Sequence, residues 1–499
     1  MRRLRLLKEQ ILEPKRAMRA SYLPFLMVYF AYGLGSITGI ASDFWVMEVM
    51  QFSDQQLSIA AFWMGVPWTL KMLFGQFVDA RPIMGSPRRA YIFLGAFSVS
   101  IGYLVLAGLA GGSPLIANNI TPITAFYLSN VLVVVGLVIQ DVTADAMTSE
   151  MNTGDEKDSR SIQVLGRIAM GLGGLSGAIF ASSVALIGRN YSYATVFLIG
   201  LVVPAISIAG AIIWKQRLVE RAQWNKPILF GGLGFAIFVL AINLTSLPMK
   251  AEIVWLGSTA AIAMFLYVLA RTLDRAAILA LLATGAVFFV FRAMPGAGPG
   301  VGWWQKEILG FDELFLGRLQ TFGSVLGLAG LILAARSIRN YSIAPVLVFI
   351  TVIGTILSLP TIGMYYGLHN WTEAHFGFGA RTIVVVDAAL SSPFGDIAMV
   401  PVLALLAMIA RFGNPATWFA VGASFMNLAL STSSIMTKWL VQIWPVTQAK
   451  RLGGIVVTPG DYRNLGTLMI LTTVLGFVLP LIMIWIFKKQ LNFKIETPR

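Results

Sequence analysis

The chain has 499 residues, 57% of them hydrophobic and only 12% charged, with a formal net charge of +14. Soluble domains carry about twice that fraction of charge, so composition excludes a soluble domain of useful size. Apolar runs recur from end to end, each close to the roughly 20 residues that cross a bilayer, and they define an all-α polytopic membrane protein. The absence of cysteine excludes disulfides, a thiolate nucleophile and cysteine-ligated metal. No metal site and no cofactor is expected.

In chain order, residues 1–20, MRRLRLLKEQILEPKRAMRA, read as a basic amphipathic segment on the inner membrane surface. They are too long and too polar before the first apolar run for a cleavable signal peptide. Spans are expected at 22–46, 57–80, 90–111, 121–147, 161–187, 193–214, 227–246, 250–270, 275–297, 311–335, 342–366, 377–411, 414–442 and 464–488. Pro393 and Pro401 are expected to kink the long twelfth span. The two histidines, His369 and His375, fall in one predicted loop and read as residues near the membrane surface.

Fourteen spans put both termini on one side. With the termini inside, 25 of the 37 Lys and Arg lie in inner loops and tails, six in outer loops and six within spans. That asymmetry follows the positive-inside rule. It places both termini in the cytoplasm and accounts for the net charge without nucleic acid. The expected location is the cell inner membrane.

The chain divides as 6 + 2 + 6. Residues 21–214 form a first six-helix bundle, closed by the basic loop WKQRLVERAQWNK (214–226). Residues 215–274 hold that loop and two extra helices without buried charge, expected as a peripheral insertion. Residues 275–488 form a second six-helix bundle, and 489–499 a cytoplasmic tail. Two six-helix halves resemble the plan of major facilitator transporters, which hold substrate between them.

Ionisable groups within spans need a partner, water or a substrate. Towards the inner side lie Lys71, Asp79, Asp141, Asp145 and Arg167, with Glu150 nearer the surface as a rim or gate. Asp141 and Asp145 share one helix face, and Asp141 is expected at the depth of Arg167. Towards the outer side lie Asp43, Arg292, Arg318, Arg381, Asp387 and Lys438, with Asp396 deeper. Arg318 and Lys438 are expected to extend to the headgroups. The stretch MPGAGPGVGWWQKE (294–307) ends the ninth span in a form no regular helix tolerates, as a hinge, vestibule or plain loop. There is no phosphate-cradling loop, so an ion or substrate gradient must supply the energy.

GVPWTLKMLFGQFVDARPIMGSPRRAYIFLG (65–95) holds Gly75, Asp79, Arg88 and Arg89, similar to the facilitator loop motif that serves gating. Pro67, Trp68 and Lys71 resemble the folate–biopterin transporter family in particular. So do GLVIQDVTADAMTSEM (136–151), LGFDELFLGRL (309–319) and FAVGASFMNLAL (419–430). Met72 and Val78 depart from that pattern, which has proline and serine there.

The resemblance implies a secondary active transporter, a symporter moving a folate- or pterin-like solute with a proton as coupling ion. Lys71, Asp141, Asp145, Arg167, Arg381, Asp387 and Asp396 are its candidate substrate-binding or coupling residues. The expected partners are the small-molecule substrate, the proton and membrane lipid, with a monomeric chain and no enzymatic activity. Alternatives are a permease for another solute such as muropeptides, or an assembly factor resembling light-harvesting assembly proteins.

Overall fold

A computed structural model describes residues 18–83, 85–86, 88–151, 156–187, 192–215, 226–271, 275–338, 343–397, 415–452 and 455–491. The chain is an all-α polytopic membrane protein. An apolar medium leaves backbone N–H and C=O groups no partner but each other, and the helix pairs them within one segment.

The helices are α1 (Leu23–Leu34), α2 (Gly39–Trp45), α3 (Asp54–Thr69), α4 (Lys71–Ala80), α5 (Arg89–Ala110), α6 (Pro114–Ala117), α7 (Pro122–Met151), α8 (Glu156–Ile187), α9 (Tyr193–Ile199) and α10 (Val202–Ile213). There follow α11 (Lys226–Leu244), α12 (Lys250–Ala270), α13 (Arg275–Ala293), α14 (Gly300–Glu307), α15 (Glu313–Ile338), α16 (Ile343–Tyr365) and α17 (Leu368–Phe376). The last are α18 (Ala380–Ile397), α19 (Pro415–Ile443), α20 (Leu465–Ile486) and α21 (Lys488–Leu491). Strands β1 (Lys450–Leu452) and β2 (Ile455–Thr458) pair antiparallel between α19 and α20.

Each of the fourteen expected spans has a helix at its place. Residues 1–17, and 398–411 of the twelfth span with Pro401, lie outside the described residues. The first span continues through a 3-10 turn at Gly35–Thr38 and a π turn at Val46–Met50. The second breaks at Leu70, between α3 and α4, three residues after Pro67. Proline has no N–H to give and crowds the preceding turn. The two histidines are not in a loop. Both lie on α17, whose ends are set by Gly367 and Gly377, at φ +90° and +75°.

Contacts divide the chain into two units. The first comprises 1–50, 73–229 and 312–333. Its core packs α1 on α8 and α5 on α7, with Phe25, Ile92, Ala144, Met147 and Ile162 fully buried. The second comprises 51–72, 230–311 and 334–499. Here α3 lies along α19, where a Cβ on Gly65 would meet Ser431 Oγ at 2.9 Å. Asn427 Nδ2 donates to Trp68 O at 3.1 Å on the same face.

Helix α12, one of the two expected as an insertion, is also bound to α19. Lys438 Nζ donates to Glu252 Oε1, both side chains buried, and Trp255 Nε1 donates to Thr432 Oγ1 at 2.9 Å. Two expectations are corrected here. Lys438 does not reach for headgroups, and the inserted pair does carry a buried charge, Glu252. A lysine buried on one helix needs an anion within the protein, and α12 supplies it.

Removing one member of a buried pair strands the other, at a cost of roughly 3–5 kcal/mol, whereas replacing both with apolar groups is often neutral. Lys438→Met should therefore lower the melting temperature of the purified protein sharply. Lys438→Met with Glu252→Leu should recover most of the loss, as followed by thermal unfolding in detergent. A double variant as unstable as the single one refutes this account of the pair.

Candidate substrate and coupling site

The site in the first unit begins with glycine. A Cβ on Gly173 would fall 2.0 Å from Phe30 O, and one on Gly33 would fall 1.9 Å from Met170 O. Only glycines allow α1 and α8 to touch backbone to backbone. One turn along α8, a Cβ on Gly166 would lie 3.0 Å from the Tyr29 ring. That approach sets the phenol of α1 beside Arg167 of α8. On the other side of the unit, Gly95 and Gly136 bring α5 and α7 together in the same way.

Tyr29 Oη donates to Asp145 Oδ1 at 2.6 Å. Asp141, one turn earlier on α7, and Arg167 both act electrostatically on the same phenol. Asp141 and Asp145 are half-buried and Arg167 is exposed. Tyr22, Phe25, Met147, Ile162 and Leu165 form the apolar packing around them. Two carboxylates, a phenol and a guanidinium thus share one place in an otherwise apolar unit. Such a set offers hydrogen-bond acceptors and a cation side by side.

The loop motif falls into place as helix capping. Arg88 is buried, and its Nη1 donates to Val78 O at 2.8 Å, at the end of α4. Arg89 donates through Nε to Ala211 O at 2.9 Å and through Nη2 to Trp214 O at 2.8 Å, at the end of α10. Cations there satisfy orphan carbonyls and the negative end of the helix dipole. Gly75 packs on Val142 of α7. The side chains of Asp79 and Glu150 lie outside the described residues.

The remaining candidates belong to the second unit. Lys71 opens α4 and is half-buried. Arg381 is exposed on α18, and its Nη2 donates to Gly310 O at 3.2 Å. Asp387 is half-buried on α18, and the side chain of Asp396 lies outside the described residues. Sequence reasoning found Asp141, Asp145 and Arg167 but missed Tyr29. Its signal was a phenol within an apolar run, a group that seeks a polar partner when buried.

This fold is shared with solved transporters of the POT family. The structure aligns with a solved POT family transporter in complex with a thioalcohol-conjugated peptide, with TM-score 0.68 and 13% identity over 95% of this chain and 96% of that one. A proton-dependent oligopeptide transporter aligns with TM-score 0.63 and 15% identity, over 94% and 98% of the two chains. The BT1 family matches residues 33–497, and the chain belongs to that family.

Named relatives include the folate-biopterin transporter of Synechocystis sp., 25% identical over 92% of this chain and 80% of that protein. The probable folate-biopterin transporter 4 of Arabidopsis thaliana is 24% identical over 84% and 87%. The folate transporter 2 of Plasmodium falciparum is 23% identical over 81% and 78%. The protein is a multi-pass membrane transporter and not an enzyme.

Tyr29→Phe removes the donor to Asp145 and should cost about 1–3 kcal/mol, the range for stranding a charged acceptor. Asp145→Asn added to that variant should cost less than it does alone, because the two share one interaction. Thermal unfolding of the four proteins of this cycle decides it. Strictly additive losses would show that the 2.6 Å contact carries no energy.

Proposed function

We propose that the protein is a proton-coupled symporter for a folate- or pterin-like solute, working by alternating access. Family membership supports the solute class, and the Tyr29–Asp145 contact beside Asp141 and Arg167 supports the place. The paired amino group and ring N–H of a pterin match one carboxylate, Asp141 or Asp145. The flat ring suits an aromatic neighbour, which Tyr29 provides. A glutamate tail calls for a cation, and Arg167, Lys71 and Arg381 are the candidates. Asp387 and Asp396 supply further carboxylates for coupling. Gly75, Asp79, Arg88, Arg89 and Glu150 belong to gating.

In this reading the functional halves are residues 21–214 and 275–488, joined by the basic loop and inserted pair at 215–274. Residues 1–20 and 489–499 lie on the cytoplasmic side of the inner membrane, and the chain works as a monomer. Coupling follows from the shared carboxylates. A proton bound at Asp141 or Asp145 changes which hydrogen bonds the site can accept, so substrate and proton affinities are linked.

Proteoliposomes carrying the native protein should take up folate or a pterin faster when an inward proton gradient is imposed. Asp141→Asn should reduce that stimulated uptake by about tenfold, the loss of one charge-assisted hydrogen bond of ~1.4 kcal/mol or more. Uptake without response to the gradient overturns the coupling. No uptake by folded native protein overturns the cargo.

A further inference from the structure

Trp68 and Asn427 are 359 residues apart in sequence, in two of the stretches on which the family resemblance rests, and they meet at a break in the second span. Pro67, with no N–H to give, precedes that break. Helix α3 ends at Thr69, Leu70 stands between, and α4 begins at Lys71. The carbonyls left at the end of α3 each find a donor. Thr69 Oγ1 donates to Val66 O at 2.7 Å, and the Leu70 N–H donates to Pro67 O at 3.1 Å. The donor to Trp68 O comes from α19: it is Asn427 Nδ2, at 3.1 Å.

In an unbroken helix Trp68 O would accept from the N–H of Met72. Here that N–H donates to Ser424 Oγ at 3.4 Å. Ser424 and Asn427 share one face of α19. Together they hold the two ends of a helical hydrogen bond that would bridge Lys71. From Gly65 through Trp68 to Met72, the partner on α19 runs back from Ser431 through Asn427 to Ser424. The break therefore interrupts hydrogen bonding without shifting the register. Thr69, Leu70, Met72 and Ser424 are buried, and Lys71 and Asn427 are half-buried.

Helix α19 mends a second break in the same way. Ser433 Oγ donates to Met294 O at 2.7 Å, and the Gly296 N–H donates to Thr437 Oγ1 at 3.0 Å, on either side of Pro295. No lysine stands within that break, which makes it the natural comparison.

We propose that Asn427 is a positioning residue: with Ser424 it fixes the backbone at the break, and so places Lys71 to receive the anionic glutamate tail of a folate. This rests on the proposed function, which offers the tail Arg167, Lys71 and Arg381, and it selects Lys71. A lysine carries a point charge on a flexible stem, so its ammonium is placed only as well as the backbone beneath it. Arg381 is exposed and donates to Gly310 O, and Arg167 stands in the group around Tyr29.

Uptake of folate and of a pterin without the tail is compared in proteoliposomes. Asn427→Ala should raise KM for folate about fivefold, a loss of roughly 1 kcal/mol, and leave KM for the pterin unchanged. Lys71→Met should do the same, and Asn427→Ala added to it should raise the folate KM no further, because the amide acts through the lysine. Ser433→Ala, at the other break, should not separate the two solutes. A KM change shared by folate and pterin, a full further loss in the double variant, or a separation with Ser433→Ala overturns the proposal.

Hydrogen exchange needs no solute and keeps the two readings apart. Peptides covering residues 66–74 should exchange about fivefold faster in Asn427→Ala than in the native protein, both in nanodiscs. Unchanged exchange overturns the proposal. Faster exchange, in a protein whose native form takes up no folate, upholds the placing of Lys71 and overturns the cargo alone. If Asn427→Ala does not fold, Ser424→Ala removes the other end of the bridge and is read by the same criteria.

Discussion

A charge inside a helical membrane protein needs a partner, a water-filled cavity or a substrate, and several charges here are answered by another part of the chain. That constraint organises what the described residues do with their ions. Lys438 is answered by Glu252 on α12. Arg88 and Arg89 are answered by carbonyls at the ends of α4 and α10. Asp145 is answered by the phenol of Tyr29. Asp54 is buried, with Gly298 and Gly300 set against its carboxylate oxygens. These solutions differ in how firmly they fix the charge. A buried ion pair sets one charge against another, whereas a guanidinium on helix-end carbonyls and a carboxylate on a phenol are held by neutral groups.

Glycine decides where such solutions can be built. The polar group of the first unit exists because α1 and α8 approach to backbone contact at Gly33 and Gly173. With ordinary side chains between them, the phenol of Tyr29 would stand away from Arg167. The glycines around Asp54 play a different part. They clear a place where a second helix can start directly on a carboxylate. In both cases the absence of a side chain lets backbone or a small polar group fill the space.

Much of this was legible in the sequence, and the limits have physical causes. Hydropathy placed a helix at each expected span, nine of them long and apolar enough among the described residues to cross a membrane, because length and apolarity are properties of one segment. Spacing put Asp141 and Asp145 on one face because helix geometry is local. Partnership is not local. Tyr29 and Asp145 are 116 residues apart and Lys438 and Glu252 are 186 apart, so no pattern within a window joins them. Lys438 near a span end was read as reaching for headgroups, the correct rule for a lysine without an anion nearby. Asp54 drew no notice, since an acidic residue at the start of a helix is the commonest place for one. Its burial became visible only with the glycine loop folded over it.

The two helices expected as an insertion are tied in by the same constraint. A loose peripheral hairpin would need no charge in its core and would add none to its host. Here α12 supplies the only anion that Lys438 meets in the contacts described, and its Trp255 adds a second polar tie to α19. Apolar packing alone would let the hairpin slide along α19, because one methyl group resembles another in a lipid-like medium. An ion pair and an indole N–H each have one satisfactory partner, so together they fix the register. The residue that α12 holds lies on the helix that also carries Ser431 and Asn427 against α3. Helix α12 is therefore fastened to the helix that supports the second span, and any displacement of α19 must carry α12 with it or break a buried ion pair.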